Sequence, residues 1–178
     1  SRLLVLGGRQ TGEDAAGKPL ATGSLSYWDL ASGAMLWERI ASGNEADGDK
    51  ALAFSPDGMQ ALASGFEGHA KLSAVRLTDG ATTPLHTGHL KSFAALAYSP
   101  DGRQAATGGY GQGIRLIDLR RGVVTQALRG HNGAVKSLRY AADGKRLYSS
   151  GQDGALRVWD LATGNEIVAM YSFFGASG

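Results

Sequence analysis

Apolar and polar residues alternate over short stretches of this chain, and no stretch keeps a sustained helical period. The last quarter is the clearest. From Ala134 to Tyr140 the two kinds alternate into the turn Ala142-Asp143-Gly144, and a second stretch runs from Lys145 to Ser150. After Gly151-Gln152-Asp153-Gly154, the segment Ala155 to Asp160 puts Leu156, Val158 and Asp160 on one face and Arg157 and Trp159 on the other. Thr163-Gly164 then turns the chain into Asn165 to Met170. A period of two marks strands, and Asp-Gly and Thr-Gly turns suit hairpins because glycine accepts positive φ. The pattern predicts four short strands here, and few or no helices anywhere.

The same unit recurs upstream. Ser55-Pro56-Asp57-Gly58 returns as Ser99-Pro100-Asp101-Gly102 and, degraded, as Ala141-Ala142-Asp143-Gly144, with starts 44 and 42 residues apart. Gly88-His89 returns 42 residues on as Gly130-His131. Trp28-Asp29-Leu30 has counterparts in Ile117-Asp118-Leu119 and Trp159-Asp160-Leu161, the last two again 42 apart. Markers that keep one spacing and one order define an internal repeat.

A repeat of this length, carrying Gly-His, Trp-Asp and four strands, resembles the WD-repeat β-propeller family. The resemblance covers essentially the whole chain and is strongest in the last unit. It implies an all-β WD-repeat β-propeller of about four blades, three complete and one lacking its first strand, within a seven- or eight-bladed ring. The blades are expected at 1–41 (incomplete), 42–86, 87–129 and 130–172, with a tail at 173–178 and one partial propeller domain overall.

In this family a His, a Ser or Thr, an Asp and a Trp form a hydrogen-bonded chain inside each blade. The last unit matches with His131, Ser149, Asp153 and Trp159. The third keeps His89 and Thr107 but has Gly111 and Ile117 where the Asp and Trp belong, and its network is expected to stop halfway. The second has Ser64, with Asn44 and Val75 in place of the His and Trp. The resemblance makes these residues structural. A buried polar chain stabilises only when each member finds a partner, so the last blade is expected to be the best specified.

The first unit has strands expected at Leu3–Gly7, Gly23–Asp29 and Ala34–Ile40, with an insertion, Arg9 to Pro19, whose composition predicts a mobile surface loop. At about 42 residues per unit, 178 residues make about four units, fewer than a ring of seven or eight requires. A part-ring leaves two apolar blade faces bare. The expectation is a fragment of a longer propeller; two copies closing a ring by two-fold symmetry, or a small closed four-bladed ring, are the alternatives. The ending Tyr171-Ser172-Phe173-Phe174-Gly175-Ala176-Ser177-Gly178 resembles run-ins seen where WD repeats precede a caspase-like peptidase domain in bacterial proteins.

Composition narrows the function. There is no cysteine, which excludes disulfides and thiolate chemistry. Net charge is +2, too small by itself to argue for a nucleic-acid or membrane partner, although Arg115 to Arg157 is a basic stretch that reads as a solvated rim or a patch for an acidic partner. Without a signal peptide or apolar span in the sequence, the expected compartment is the cytoplasm. His69 and His86 lack an acid at dyad or metal spacing, and Glu45, Asp47 and Asp49 do not fit a helix-loop-helix calcium loop. No catalytic residue, metal or cofactor is expected.

The expected role is a non-catalytic protein-interaction scaffold, the alternative a sensing or regulatory module of a larger enzyme such as a caspase-like peptidase. By resemblance, partners dock on the face bearing the Gly-His loops and the turns after the second strands. That face is expected to present Lys50, Glu67, Ser92, Ala94, Tyr110, Lys136 and Gln152. Tyr110 is the candidate anchor, and Lys136 the source of charge selectivity.

Overall fold

A computed structural model describes residues 1–13, 15, 19–41, 50–65, 71–85, 93–110 and 113–171, without the side chains of 8–11 and 19–21. The described residues contain strands and turns and no helix. Fifteen strands run in chain order: β1 (Arg2–Glu13), β2 (Pro19–Asp29), β3 (Met35–Ile40), β4 (Leu52–Phe54), β5 (Gln60–Ser64), β6 (Leu72–Arg76), β7 (Thr82–Leu85), β8 (Phe93–Tyr98), β9 (Gln104–Gly109), β10 (Ile114–Asp118), β11 (Val123–Leu128), β12 (Val135–Tyr140), β13 (Arg146–Gly151), β14 (Ala155–Asp160) and β15 (Glu166–Tyr171). They form the sheets β1-β2-β3, β4-β5-β6-β7, β8-β9-β10-β11 and β12-β13-β14-β15, each a meander of neighbours in sequence. Among the described residues every strand pairing is antiparallel and falls within one sheet. This is the blade architecture of a propeller.

The turns repeat because their chemistry repeats. Ser55 Oγ donates to Asp57 Oδ1 at 2.6 Å and accepts the Gln60 N–H at 2.9 Å. Ser99 does the same with Asp101 at 2.6 Å and Gln104 at 2.9 Å. The aspartate that follows the Trp position closes a different turn. Asp29 Oδ1 accepts the Ala31 N–H, Asp118 Oδ1 that of Arg121, and Asp160 Oδ1 those of Ala162 and Thr163. These are side chains satisfying the backbone of their own turn.

The chain divides into two compact units, Ser1–Phe93 and Ala94–Gly178. In the first, Leu4, Leu6, Leu25, Tyr27 and Trp37 of the first sheet pack against Leu52, Ala61, Ala63, Val75 and Leu77 of the second. Trp37 Nε1 donates to Leu77 O at 2.9 Å, and the Arg39 guanidinium donates to Gly80 O and Asp79 O. Gly80 has φ +70°, and a Cβ there would lie 2.8 Å from the Trp37 ring, so both conformation and space require glycine. In the second unit, Ala95, Ala97, Ala106, Ile114, Leu116 and Leu128 of the third sheet receive Val135, Leu138, Tyr140, Leu147 and Trp159 of the fourth. Small residues opposite large ones let the two faces interdigitate.

One expectation fails. Among the described residues of 8–22, strand pairing continues where a loop was expected: Gly8 pairs with Gly23, Arg9 with Thr22 and Gln10 with Ala21, then across an irregularity Gly12 with Leu20 and Glu13 with Pro19. Hairpin pairing engages the backbone of these paired residues, and composition, which counted their Gly and polar neighbours as breakers, does not register cross-strand hydrogen bonds.

Candidate functional site

The polar chain of the last sheet assembles from four elements. Gly130-His131 follows β11, Ser149 lies on β13, Asp153 in the turn after it and Trp159 on β14. Trp159 Nε1 donates to Ser149 Oγ at 2.8 Å. Ser149 Oγ lies 2.8 Å from His131 Nε2, and His131 Nδ1 lies 2.9 Å from Asp153 Oδ1. The carboxylate accepts from Nδ1–H, which leaves Nε2 to accept the serine proton, so the network fixes the histidine tautomer. Asp153 Oδ2 also accepts the Asn132 N–H at 2.9 Å. Burial alone would raise the Asp153 carboxyl. The Asn132 N–H, the His131 ring and the Ala155 N–H outweigh it and hold the group well below the ordinary carboxylate range.

The glycines of this network are required by contact. A Cβ on Gly151 would lie 2.6 Å from His131 Nδ1 and 2.7 Å from Asp153 Oδ1, and one on Gly130 would lie 2.9 Å from the Trp159 ring. A charged layer, whose partners the alternation pattern did not reveal, adjoins them. Arg157, buried on the same face as Trp159, donates to Glu166, to Tyr171 Oη at 3.0 Å and to Asp153 at 3.4 Å. Its place beside Trp159 was legible as a charged residue on an inward face, the one available signal.

Ser149, His131 and Asp153 stand in the order of a hydrolytic triad, with hydrogen-bond distances to match. A nucleophile must meet its substrate, however. Ser149 is 3% exposed, the His131 side chain 0%, and the Ser149 oxygen already accepts the Trp159 indole. The arrangement ties the blade together.

Elsewhere the network positions are filled differently. Thr107 takes the place of Ser149, since it pairs with Arg115 as Ser149 pairs with Arg157; it is fully buried and donates to Arg115 O at 3.4 Å. Ile117 and Val75, at the Trp position, are both fully buried. Ser64 is a correction: Ala63, not Ser64, pairs with Ser73 as Ser149 pairs with Arg157. A one-residue slip along a strand moves a side chain to the other face, and Ser64 Oγ instead accepts the Ala51 N–H at 2.9 Å. His89, Asn44 and Gly111 lie outside the described residues, as do His69, His86 and the acids at 45, 47 and 49.

Of the residues assigned to the docking face, Glu67 and Ser92 lie outside the described residues. Lys50 is exposed ahead of β4, Ala94 is half-buried in β8, and Gln152 is exposed in the turn between β13 and β14. Tyr110 and Lys136 meet: Lys136 Nζ donates to Tyr110 Oη at 3.2 Å and stands 4.6 Å from the ring centroid. Both are exposed. Lys136 sits where the register of β12 on β13 shifts, between the pairs Val135 with Gly151 and Ser137 with Ser150, and such a bulge re-aims a side chain. Beneath it the two sheets touch closely, for a Cβ on Gly108 would lie 2.7 Å from Val135 Cγ1.

Among the described residues no cluster of His, Asp and Glu could hold a metal ion, and no helix is long and apolar enough to cross a membrane. The family model for the WD domain, G-beta repeat, matches residues 82–118 and 122–160. Each match begins with the outer strand of one sheet and continues through three strands of the next. The chain therefore carries WD repeats at these residues, on four-stranded antiparallel sheets arranged like propeller blades. No curated protein matches it. WD40 repeats generally mediate protein–protein interaction and are typically non-catalytic.

Proposed function

We propose that this chain is a cytoplasmic, non-catalytic interaction scaffold whose protein partners dock at the end bearing Gly130-His131, around Tyr110, Lys136 and Gln152. The observation that carries this reading is the exposed Tyr110–Lys136 pair above the close contact of Gly108 with Val135. An aromatic held in place before binding buries area at little ordering cost. Lys50, Glu67, Ser92 and Ala94 complete the docking face in this proposal, and blades at 1–41, 42–86, 87–129 and 130–172 form one partial propeller domain. The same surface serves a free-standing scaffold or a sensing module of a larger enzyme such as a caspase-like peptidase.

The remaining blades come, in this reading, from the rest of a parent chain or from a second copy. Two apolar faces support it. Leu3, Val5 and Trp28 share one face of the first sheet, and Leu3 and Val5 are exposed. Tyr148, Leu156, Val168 and Met170 share the outer face of the last, all exposed. Apolar faces of this kind seek a cover.

The docking site is tested by selecting binders to the chain from a random peptide library and measuring their affinity by fluorescence anisotropy. Tyr110→Ala abolishes binding if the reading holds, whereas Arg120→Ala with Arg121→Ala, in the turn between β10 and β11, leaves it unchanged. Binding that ignores Tyr110→Ala would overturn it.

A further inference from the structure

We infer that the Tyr110–Lys136 pair is a receptor for a carboxylate, so that the partner presents an Asp or Glu side chain at this point. The inference rests on the docking reading above and adds the chemistry of what is docked. Lys136 Nζ has three N–H donors and spends one on Tyr110 Oη. The phenol, having accepted that bond, keeps its own proton to give. An ammonium and a hydroxyl 3.2 Å apart therefore offer two donors side by side, which suits the two oxygens of one carboxylate, and one of the bonds is charge-assisted.

The surroundings favour an acid over the other possible guests. Among the described residues no carboxylate forms an ion pair with Lys136, while Asp153, in the turn between β13 and β14 of the same sheet, is committed to His131, Asn132 and Arg157. The exposed charged residues of β12 are Lys136 and Arg139, both cations. The ammonium stands 4.6 Å from the Tyr110 ring centroid, so ring and hydroxyl both attract the cation and hold it at this point. β9, which ends just before Tyr110, and β12, which carries Lys136, approach closely at Gly108 and Val135 and so bring the two side chains within reach. The seat is held in place before a partner arrives, so little ordering cost attaches to its use.

The test uses the whole chain and peptides selected on it from a random library, with affinities read by fluorescence anisotropy and folding of each variant checked by thermal melting. The selected peptides are expected to share an Asp or Glu at one position. Changing it to Asn or Gln weakens binding about tenfold, and Lys136→Gln weakens it by the same factor, with no further loss when both changes are combined. Tyr110→Phe, which keeps the ring and removes the hydroxyl, weakens it several-fold. Lys136→Glu selects peptides with Lys or Arg in place of the acid. Peptides that share no acid and tolerate Lys136→Gln, yet fail on Tyr110→Ala, overturn the carboxylate and leave the docking reading standing. Peptides indifferent to both Tyr110→Ala and Lys136→Gln overturn both. Displacement of the peptides by inorganic phosphate, or by poly(U) RNA with a steep salt dependence, overturns the carboxylate in favour of a phosphate-bearing ligand.

Discussion

The first and last sheets carry the same Trp-Asp-Leu, and they use it differently. In the last, Trp159 is 1% exposed, packs into the core of the second unit and donates across the sheet to Ser149. In the first, Trp28 faces away from the core of its unit, stays partly exposed and donates to Ser26 Oγ, two residues before it. The position of Ser149 is held there by Val5, for Leu3 pairs with Trp28 as Leu147 pairs with Trp159. A tryptophan thus specifies a blade only when a polar partner lies across from it and a neighbouring sheet covers it. Where the pattern is degraded, aliphatic burial substitutes, as with Val75 in the first unit.

The two units are also fastened differently. The second relies on a buried polar chain under Trp159, the first on Trp37 and Arg39 of an outer strand reaching the backbone of the next sheet's turn. The family model matches only from Thr82 onward. Of the two matches, only 122–160 holds the complete set of His131, Ser149, Asp153 and Trp159.

The sharpest break in this comparison is Trp159→Ala, expected to cost about 3–5 kcal/mol as a large buried aromatic does. Hydrogen exchange should lose protection in 94–171 before the first unit, and an unchanged melting temperature would remove Trp159 from the core. Next comes Gly151→Ala, which forces a methyl against His131 and Asp153 and is expected to cost roughly 1–3 kcal/mol by overpacking. The same change at Gly58, where a Cβ meets nothing within 4 Å but φ is +68°, should cost less, about 1 kcal/mol. Denaturant titration separates the two. Trp37→Phe in the first unit keeps the ring system's packing in part and loses the bond to Leu77 O, for about 1 kcal/mol.

Acid sharpens the comparison further. The Asp153 carboxyl is depressed in the folded chain, so its contribution is present above the ordinary carboxylate range and is lost as pH falls through it toward the folded value. Melting temperature should therefore fall below about pH 4, with a shallower acid limb in Asp153→Asn. The smallest effect is expected at Arg76 and Asp79, a pair whose side chains are 58% and 49% exposed. Arg76→Gln should leave the denaturation midpoint where it is, as solvent screens such a pair.

Much of the fold was legible because local chemistry carried it. Alternation marked the strands, and Ser99 with Asp101, or Asp160 with Thr163, closes its turn using residues within a few positions. The histidine, serine, aspartate and tryptophan of the last blade were legible too, through spacing and family resemblance. Ser64 was misplaced although spacing held the answer, since Ser149 and Thr107 stand five residues after Gly144 and Gly102 and Ala63 stands five after Gly58; the extension of the β1–β2 hairpin beyond Gly7 was missed because its glycines and polar residues resemble loop material.

What the sequence by itself determined is the repeat: strands, turns and the order in which they pair, all consequences of side-chain periodicity and glycine placement. Tertiary structure alone decided which polar residues meet. Arg157 found Glu166 and Tyr171 across a strand pair, and Lys136 found Tyr110 across two sheets. Those pairings depend on register and on the approach of separate backbones, and neither is encoded in any local pattern. That is why the Tyr110–Lys136 pair emerged only once the sheets were packed.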